Sequence, residues 1–407
     1  MKIKDLKNKK ILILGFGREG QDTFLFLRKL FPEKVIGIAD RQKLKIKRNK
    51  VKCHFGKNYL KEIKDYEVIF KAPGIPWKIL PKSSFLKITS QTELFFDNYP
   101  GIIIGVTGTK GKSTTASMIY QVLKKGEIKA YLAGNIGKPV LGFLSNAKKD
   151  DVLVYELSSH QLCGLKKSPH IAVFLNVYPE HLDYYKSFKE YALAKSNIVK
   201  YQTKKDSLLY NVKDKIVKKI AEKSKAKKIP IQGKYFELNK DAARKVGKIF
   251  KIKKAVIQQA LKEFKFLPHR LEFLGSFSGI EFYNDSLSTI PEAVIEALDF
   301  LGDKVQTLIV GGFDRGLSFK KLGERIDRNK IDNLVLFPAT GKKILKEAKN
   351  YKGKHFFVKN MKEAVKIAFL QTKKGKICLL SPASPSFGLF KDYEERGNLF
   401  KKFVKEY

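Results

Sequence analysis

Residues 107–114, Thr-Gly-Thr-Lys-Gly-Lys-Ser-Thr, are the part of this sequence best suited to bind a phosphate group. They lie between an apolar segment, Ile102–Val106, and a stretch of helical spacing that begins at Ser113. The backbone N–H groups of such a loop and of the helix start converge on an anion. Lys112 can reach the outer phosphates of a nucleotide, and the Ser113 hydroxyl can ligate Mg²⁺. The pattern predicts a nucleotide-binding loop formed by Gly108, Thr109, Lys110, Gly111, Lys112, Ser113 and Thr114.

Three more ionisable residues could complete a metal-assisted site beside this loop. Glu156 ends one apolar segment, and His181 follows another with Glu180 next to it. A carboxylate at the carboxyl end of a strand beside a phosphate loop is suited to Mg²⁺, and a histidine near acidic residues can be a ligand. Taken singly, Glu156 could be an exposed strand end and His181 a structural residue. Lys195 lies within a helical stretch, where a surface lysine is the simplest interpretation.

A second glycine-rich turn lies near the N-terminus. Gly15, Gly17 and Gly20 follow the apolar segment Ile11–Leu14 and fit the pattern G-x-G-x-x-G. Asp40 ends the next apolar segment, at the spacing of an acidic residue that binds a ribose. The pattern alone indicates NAD(P), although an isolated match of this kind is weak.

Short apolar strands alternate with helical stretches along the whole chain, which is typical of parallel βαβ units. A Pro-Gly turn at 100–101 precedes the strand of the phosphate loop, and a third run of strands and helices opens near 268. We therefore predict an α/β protein of three consecutive domains. They are a Rossmann-like domain at 1–97, a P-loop ATPase-like domain with a central parallel sheet at 98–267, and a Rossmann-like domain at 268–407. The lysine-rich segment 213–232 is only weakly patterned.

The composition limits the partners of this chain. Its net charge is +42, but only ten of its 82 basic residues are arginine, and lysine is spread evenly along the chain. Nucleic-acid sites favour arginine, so the composition argues against a nucleic-acid partner. It favours a solvated lysine-rich surface or an anionic small substrate. The cysteines are far apart, and no apolar run approaches the ~18–20 residues that span a bilayer. We expect a soluble cytoplasmic monomer without a membrane partner.

The motifs and their order resemble the Mur ligase family. The loop T-G-T-x-G-K-[ST] is that of Mur ligases and folylpolyglutamate synthetases, in which Gly108 opens the loop and no glycine is needed at 106, here valine. The resemblance covers essentially the whole chain. It is carried by GFGREG at 15–20, KAPGIP at 71–76, GNIG at 134–137, ELSSHQL at 156–162, LPHRLE at 267–272, YNDSLSTI at 283–290, VGGFDRG at 310–316 and LLSPASPSFGLFKDYEERGNLF at 379–400.

The resemblance implies an ATP- and Mg²⁺-dependent ligase that activates a carboxylate as an acyl phosphate for attack by an amine. The N-terminal turn would then hold UDP, and the final motif is most like that of enzymes that add glutamate to UDP-N-acetylmuramoyl-L-alanine during peptidoglycan precursor synthesis. One alternative is another Mur or folylpolyglutamate-type ligase with a different acceptor. A second is a basic P-loop protein that binds nucleic acid.

The resemblance also implies roles for single residues. Lys112, His181 and Lys195 would act in catalysis. The metal ligands would be Ser113, Glu156, His181 and, if carbamylated, Lys195. Nucleotide contacts beyond the loop would come from Asn239, Arg270 and Asp285. The UDP substrate would contact Gly15, Gly17, Asp40, Arg41, Pro73, Gly74, Thr92, Asn135 and Ser158. The amino acid would contact Thr289, Arg315, Ser386 and Tyr393.

Three motifs depart from the family pattern. Leu287 replaces a lysine, and Gly388 replaces an acidic residue, both near the amino-acid pocket. Only the second asparagine of the family's H-N-x-x-N is present, as Asn239. The identity of the amino acid that is added is therefore left open between D-glutamate, L-glutamate and another amino acid.

Overall fold

The computed structural model describes residues 1–46, 49–134, 139–181, 184–233, 236–265, 267–328 and 331–407. The chain forms two compact units, Met1–Phe264 and Lys265–Tyr407. The first unit contains two sheets and the second contains one. The chain forms three sheets one after another, each with its own helices, which confirms the predicted α/β fold class. The exact domain boundaries stay predictions. Within the described ranges, no helix has the length and apolar character needed to cross a membrane.

The first sheet is parallel and has the strand order β3-β2-β1-β4-β5. Its strands are β1 Ile11–Leu14, β2 Ile36–Asp40, β3 Val51–Phe55, β4 Val68–Lys71 and β5 Ile88–Thr89, and its helices are α1 Arg18–Leu30 and α2 Gln91–Asn98. All four residues of β1 are buried, as expected for a central parallel strand covered on both faces. A Cβ at Gly20 would lie 2.1 Å from the carbonyl oxygen of Gly15, so glycine lets α1 pack tightly on the turn after β1.

The second sheet is also parallel, with the order β11-β10-β9-β6-β8-β7. Its strands are β6 Ile102–Thr107, β7 Ala130–Gly134, β8 Val152–Glu156, β9 Ile171–Phe174, β10 Ser207–Asn211 and β11 Lys227–Ile231. Its helices are α3 Lys112–Lys125, α4 Ser159–Leu162, α5 Phe188–Lys200, α6 Lys215–Glu222, α7 Phe236–Ile249 and α8 Lys254–Lys262. Strands β8 and β9 flank β6 on opposite sides, so the strand order reverses at β6. Ligands of parallel sheets bind at such a switch point, and the phosphate loop follows β6.

The third sheet forms the second unit and has the order β12-β13-β17-β14-β15-β16, in which β12 is antiparallel to β13. Its strands are β12 Glu272–Phe277, β13 Ile280–Asn284, β14 Val305–Gly311, β15 Asn333–Phe337, β16 Lys354–Phe357 and β17 Ile377–Leu380. Its helices are α9 Pro291–Leu301, α10 Lys320–Arg328, α11 Thr340–Glu347, α12 Met361–Gln371 and α13 Tyr393–Glu406. Because β13, β17 and β14 are parallel neighbours, the loops that follow them share one edge of the sheet.

Candidate active site

The phosphate loop between β6 and α3 is held in place by the segment that follows β9. Thr109 N donates a 2.9 Å hydrogen bond to the carbonyl oxygen of Asn176, and Lys110 N donates to Asn176 Oδ1 at 2.8 Å. Tyr178 N donates to Thr109 Oγ1 at 2.9 Å. Lys112 Nζ donates to the carbonyl oxygen of Thr109 at 2.9 Å, so its ammonium group lies over the loop. These contacts hold the loop in one conformation before a ligand binds. Such a preorganised set of N–H donors stabilises a phosphate most effectively.

Asn239 lies against the start of α3. Its Oδ1 accepts a 3.0 Å hydrogen bond from Thr115 Oγ1. Gly111 has a positive φ of +79°, and a Cβ there would lie 2.8 Å from Asn239 Oδ1. The structure therefore places this predicted nucleotide residue beside the loop, with its side-chain oxygen bonded to α3.

Glu156 ends β8 and pairs in register with Val106 at the end of β6. Its side chain is buried, and its Oε2 accepts no hydrogen bond from any described residue. A buried carboxylate oxygen without a donor costs free energy unless a cation satisfies it. Among the described residues no three His, Cys, Asp or Glu side chains cluster as a metal cage. Mg²⁺ commonly uses one or two carboxylates together with substrate phosphates, so Glu156, at the end of the strand next to β6, fits this ion, and the Ser113 hydroxyl at the start of α3 is a second oxygen donor of the kind it takes.

Lys195 of α5 is only 1% exposed, so the surface-lysine interpretation is wrong. Its Nζ donates a 2.8 Å hydrogen bond to the carbonyl oxygen of Gly108 and lies 4.9 Å from the ring centroid of Tyr191. Burial, followed by the positive charge of Lys112, lowers the pKa of Lys195 well below the usual range. A lysine with a lowered pKa carries a larger fraction of neutral amine, which is its nucleophilic form.

Glu180 is a partly buried carboxylate with several basic side chains near it. Its Oε1 lies 3.2 Å from Lys110 Nζ, and its Oε2 lies 3.8 Å from His181 Nε2. Burial alone would raise the pKa of Glu180, but Lys110, Lys112, His181 and Lys195 outweigh it and lower the pKa to about 2. Glu180 therefore stays ionised and balances part of the positive charge beside the loop.

A cleft of about 540 Å³ in the first unit joins the phosphate loop to the N-terminal glycine turn. It brings together eight of the residues predicted from the sequence: Gly15, Gly17, Pro73, Gly74, Lys112, Ser158, His181 and Lys195. Groups predicted for the substrate and groups predicted for catalysis thus face one space.

The cleft also has polar residues that the sequence analysis did not assign, namely Arg18, Glu19, Ser159, His160, Glu180 and Tyr191. Their signals were present but weak. Arg18 and Glu19 occupy the variable positions of G-x-G-x-x-G, and Tyr191 precedes Lys195 by one helical turn. The ring centroid of His160 lies 4.7 Å from that of His181.

The other residues predicted for the UDP substrate have different environments. Asp40 Oδ2 accepts a 2.7 Å hydrogen bond from Phe16 N, so this carboxylate supports the glycine turn, and Arg41 beside it is exposed. Thr92 is fully buried, with its hydroxyl 3.0 Å from that of Tyr155, and it lines a separate small pocket. The remaining residue, Asn135, lies outside the described residues.

In the second unit, Asp285 follows β13 and is buried. Its Oδ1 accepts from Leu271 N at 3.2 Å, and its Oδ2 accepts from the hydroxyls of Ser288 and Ser381. Burial raises the pKa of Asp285 to about 6, against the effect of these hydrogen bonds. The carboxyl oxygens of this predicted nucleotide residue are thus bonded internally, while Arg270 is half-buried next to Leu271.

The residues predicted for the amino acid lie on loops and a helix start in the same unit. Phe313 N donates a 2.9 Å hydrogen bond to the carbonyl oxygen of Pro385, which joins the segment of Arg315 to that of Ser386. Arg315 Cζ lies 5.5 Å from the ring centroid of Phe387. The other two residues are Thr289, just before α9, and Tyr393, the first residue of α13.

Comparison with known proteins agrees with these features. Residues 106–278 match the Mur ligase middle domain, and residues 269–384 match the Mur ligase glutamate ligase domain. A UDP-N-acetylmuramoylalanine--D-glutamate ligase from Acetivibrio thermocellus is 35% identical, over 98% of this chain and 97% of its own. One from Clostridium botulinum (strain Kyoto) is 32% identical, over 99% and 98%.

Among solved structures, the crystal structure of MurF ligase from Thermotoga maritima in complex with ADP has a TM-score of 0.64 to this chain. It covers 99% of this chain and 100% of its own at 17% identity, and therefore supports the fold alone. The two domain matches and the full-length relatives confirm the resemblance found in the sequence: this chain belongs to the Mur ligase family.

Proposed function

We propose that this chain is an ATP-dependent ligase that joins D-glutamate to UDP-N-acetylmuramoyl-L-alanine in peptidoglycan precursor synthesis. The observation that carries the proposal is the cleft in which Lys112 of the phosphate loop faces the glycine turn of the first sheet. An acid substrate anchored at the turn would extend toward the terminal phosphate of ATP. The name and nearly full-length match of the relatives support the same reaction.

ATP would bind with its phosphates on the loop, held by backbone N–H groups and by Lys112. Glu156 and Ser113 would hold Mg²⁺, which supplies charge neutralisation on the phosphate oxygens. Oε2 of buried Glu156 has no hydrogen-bond partner in the described part of the chain, which supports this assignment because a bound cation would satisfy it.

The reaction needs an activated acid, because a free carboxylate is a poor electrophile. A carboxylate oxygen of the alanine residue attacks the γ-phosphorus, the bond to the bridging oxygen breaks, and ADP leaves. The glutamate amine then attacks the acyl carbon and loses a proton, and inorganic phosphate leaves with the former carboxylate oxygen. Positioned cations that neutralise these crowded anions are the main contribution the protein can make.

Lys195 is proposed to react with carbon dioxide and become a carbamate. Its burial and its proximity to Lys112 favour the neutral amine that this reaction needs. A second metal ion is proposed in addition to the one held by Glu156 and Ser113. The carbamate would supply an anionic oxygen ligand for it, and His181 would be another ligand.

The substrate end of the cleft is formed by the glycine turn and by Pro73 and Gly74 after β4. These residues are proposed to hold the UDP moiety, and Ser158 is proposed to contact the muramoyl part. In the second unit, Arg315 is proposed to bind a carboxylate of glutamate in a bidentate pair, with Thr289, Ser386 and Tyr393 around it. Arg270, Asp285 and Asn239 stay predicted nucleotide residues.

Phosphate release tests the proposal. The protein is incubated with ATP, Mg²⁺ and UDP-N-acetylmuramoyl-L-alanine, and D-glutamate, L-glutamate and other amino acids are added in turn. We expect release that depends on both the UDP substrate and D-glutamate, and none when tetrahydrofolate replaces the UDP substrate. The same release with tetrahydrofolate would favour the folylpolyglutamate alternative. No amino-acid-dependent release, together with DNA or RNA binding that weakens steeply with salt, would favour the nucleic-acid alternative.

A further inference from the structure

A side-chain contact joins Glu19, beside the first sheet, to Gln161, beside the second. Gln161 Nε2 donates a 2.7 Å hydrogen bond to Glu19 Oε1. Glu19 lies in the first turn of α1, between Gly17 and Gly20 of the glycine turn, and it lines the cleft. Both residues also line a smaller cavity of about 130 Å³.

Gln161 passes this contact on to Ser158. Ser158 N donates to Gln161 Oε1 at 2.9 Å, and Gln161 N donates to Ser158 Oγ at 3.2 Å, which together form a capping box. The helix α4 that they cap has only four residues, and so short a helix is not stable by itself. Its orientation therefore depends on side-chain contacts such as the one from Glu19.

The backbone of Glu19 is itself held in place by two neighbouring side chains. Its carbonyl oxygen accepts hydrogen bonds from Thr23 Oγ1 at 2.8 Å and from Gln91 Nε2 at 3.2 Å. Burial raises the pKa of Glu19 to about 7, against the effects of the Gln161 hydrogen bond and of Lys71. Whether or not the carboxyl group holds a proton, one oxygen remains to accept from Gln161.

We infer that Glu19 is a positioning residue for the acid substrate, which holds Gln161 and, through it, Ser158 at the wall of the cleft. The inference rests on the proposed function for the identity of that substrate. The phosphate loop that would hold ATP is fixed by contacts from Asn176 and Tyr178 and not by Glu19, so losing the Glu19 contact should leave ATP binding intact.

Steady-state kinetics of four variants test this role. Glu19→Leu keeps the side-chain size but removes the acceptor, and we expect the KM for the UDP substrate to rise about tenfold, as for the loss of one hydrogen bond. The KM for ATP and kcat should change less than about twofold. Glu19→Gln keeps an acceptor oxygen and should stay close to wild type. The matched control is Glu33→Leu, an exposed glutamate just beyond the other end of α1.

The fourth variant exchanges the two partners. In Glu19→Gln/Gln161→Glu the new glutamate can accept from Ser158 N and from the amide at position 19, so both contacts are retained. We expect this variant to keep a KM near that of wild type. An unchanged KM in Glu19→Leu, a rise in Glu19→Gln as large as in Glu19→Leu, or failure of the exchange to keep a low KM would overturn the inference.

Hydrogen–deuterium exchange gives a readout that does not need the reaction. Amides 157–162 should exchange faster in Glu19→Leu than in wild type, and at the wild-type rate in Glu19→Gln and Glu33→Leu. Unchanged exchange in Glu19→Leu would contradict the positioning role. An inactive wild-type protein would instead count against the proposed function. The exchange of amides 157–162 would still test whether Glu19 positions α4.

Discussion

Replacing Glu156 by glutamine should make the protein more stable and less active at once. The buried Oε2 of Glu156 accepts no hydrogen bond from the described residues, so the ligand-free protein bears the cost of an unsatisfied carboxylate oxygen, offset in part by the attraction between Glu156 and Lys195. Removing the charge should recover about 1–2 kcal/mol, within the range for such groups. For the first unit, Met1–Phe264, this gain in stability corresponds to a rise in melting temperature of roughly 2–8 °C.

The same substitution removes a proposed ligand of Mg²⁺. Loss of several kcal/mol of transition-state stabilisation corresponds to a fall in kcat of about 10²–10⁴-fold. Bound Mg²⁺-nucleotide stabilises wild type by about 2.7 kcal/mol at a ligand concentration of 100 times Kd, and most of this gain should be lost in the variant.

Thermal unfolding with and without Mg²⁺-ADP, together with phosphate release, measures both effects. Glu156→Asp is the control, because it keeps a carboxylate and should keep part of the activity. A Glu156→Gln protein that melts below wild type without ligand and turns over at the wild-type rate would show that Glu156 is neither an unsatisfied buried group nor a metal ligand.

Three other predictions concern single positions. Lys195→Ala should lose most activity, and added acetate or formate should restore part of it in a phosphate-release assay; near wild-type turnover without these acids would remove Lys195 from the site. Gly164 has φ +83°, and a Cβ there would lie 2.4 Å from Trp77 Cζ2, so Gly164→Ala should destabilise the first unit by about 1–3 kcal/mol. Trp77 is the single tryptophan, and its fluorescence should report the displacement; unchanged emission and melting would contradict this contact. Because the pKa of Asp285 is raised to about 6, its contribution to stability is greatest below pH 4 and is lost as the pH rises through 6. A ¹³C carboxyl NMR titration should show a resonance with a midpoint near pH 6 that is missing in Asp285→Asn, whereas a midpoint near 4 would contradict the burial argument.

The parts of the site that could be predicted from sequence are those set by local pattern. The phosphate loop needs glycine, lysine and serine at fixed spacing between a strand and a helix, and all of these lie within a few residues. Glu156 could be placed beside it because strand ends of a parallel sheet meet at one edge. The burial of Lys195 could not be derived from its own helix, where its neighbours along the chain do not distinguish the core from the surface.

Contacts between distant segments left no local signal. Glu19 and Gln161 are 142 positions apart, and Asp285 and Ser381 are 96 apart, so only the folded chain shows that they are bonded. The weakly patterned segment 213–232 proved to contain α6 and β11. Asp214 caps α6 by accepting from Ile216 N and Val217 N. Strand β11 lies at the edge of its sheet, where Pro230 and exposed lysines are tolerated and the usual strand pattern is lost.

In the proposed reaction, ATP phosphorylates the carboxylate of the acid substrate in the cleft of the first unit. Its most direct test uses UDP-N-acetylmuramoyl-L-alanine labelled with ¹⁸O in the alanine carboxylate, with ATP, Mg²⁺ and D-glutamate, and mass analysis of the released phosphate. An acyl phosphate requires one ¹⁸O atom in each phosphate from a fully labelled substrate. Phosphate released with product formation but free of ¹⁸O would show that no acyl phosphate forms.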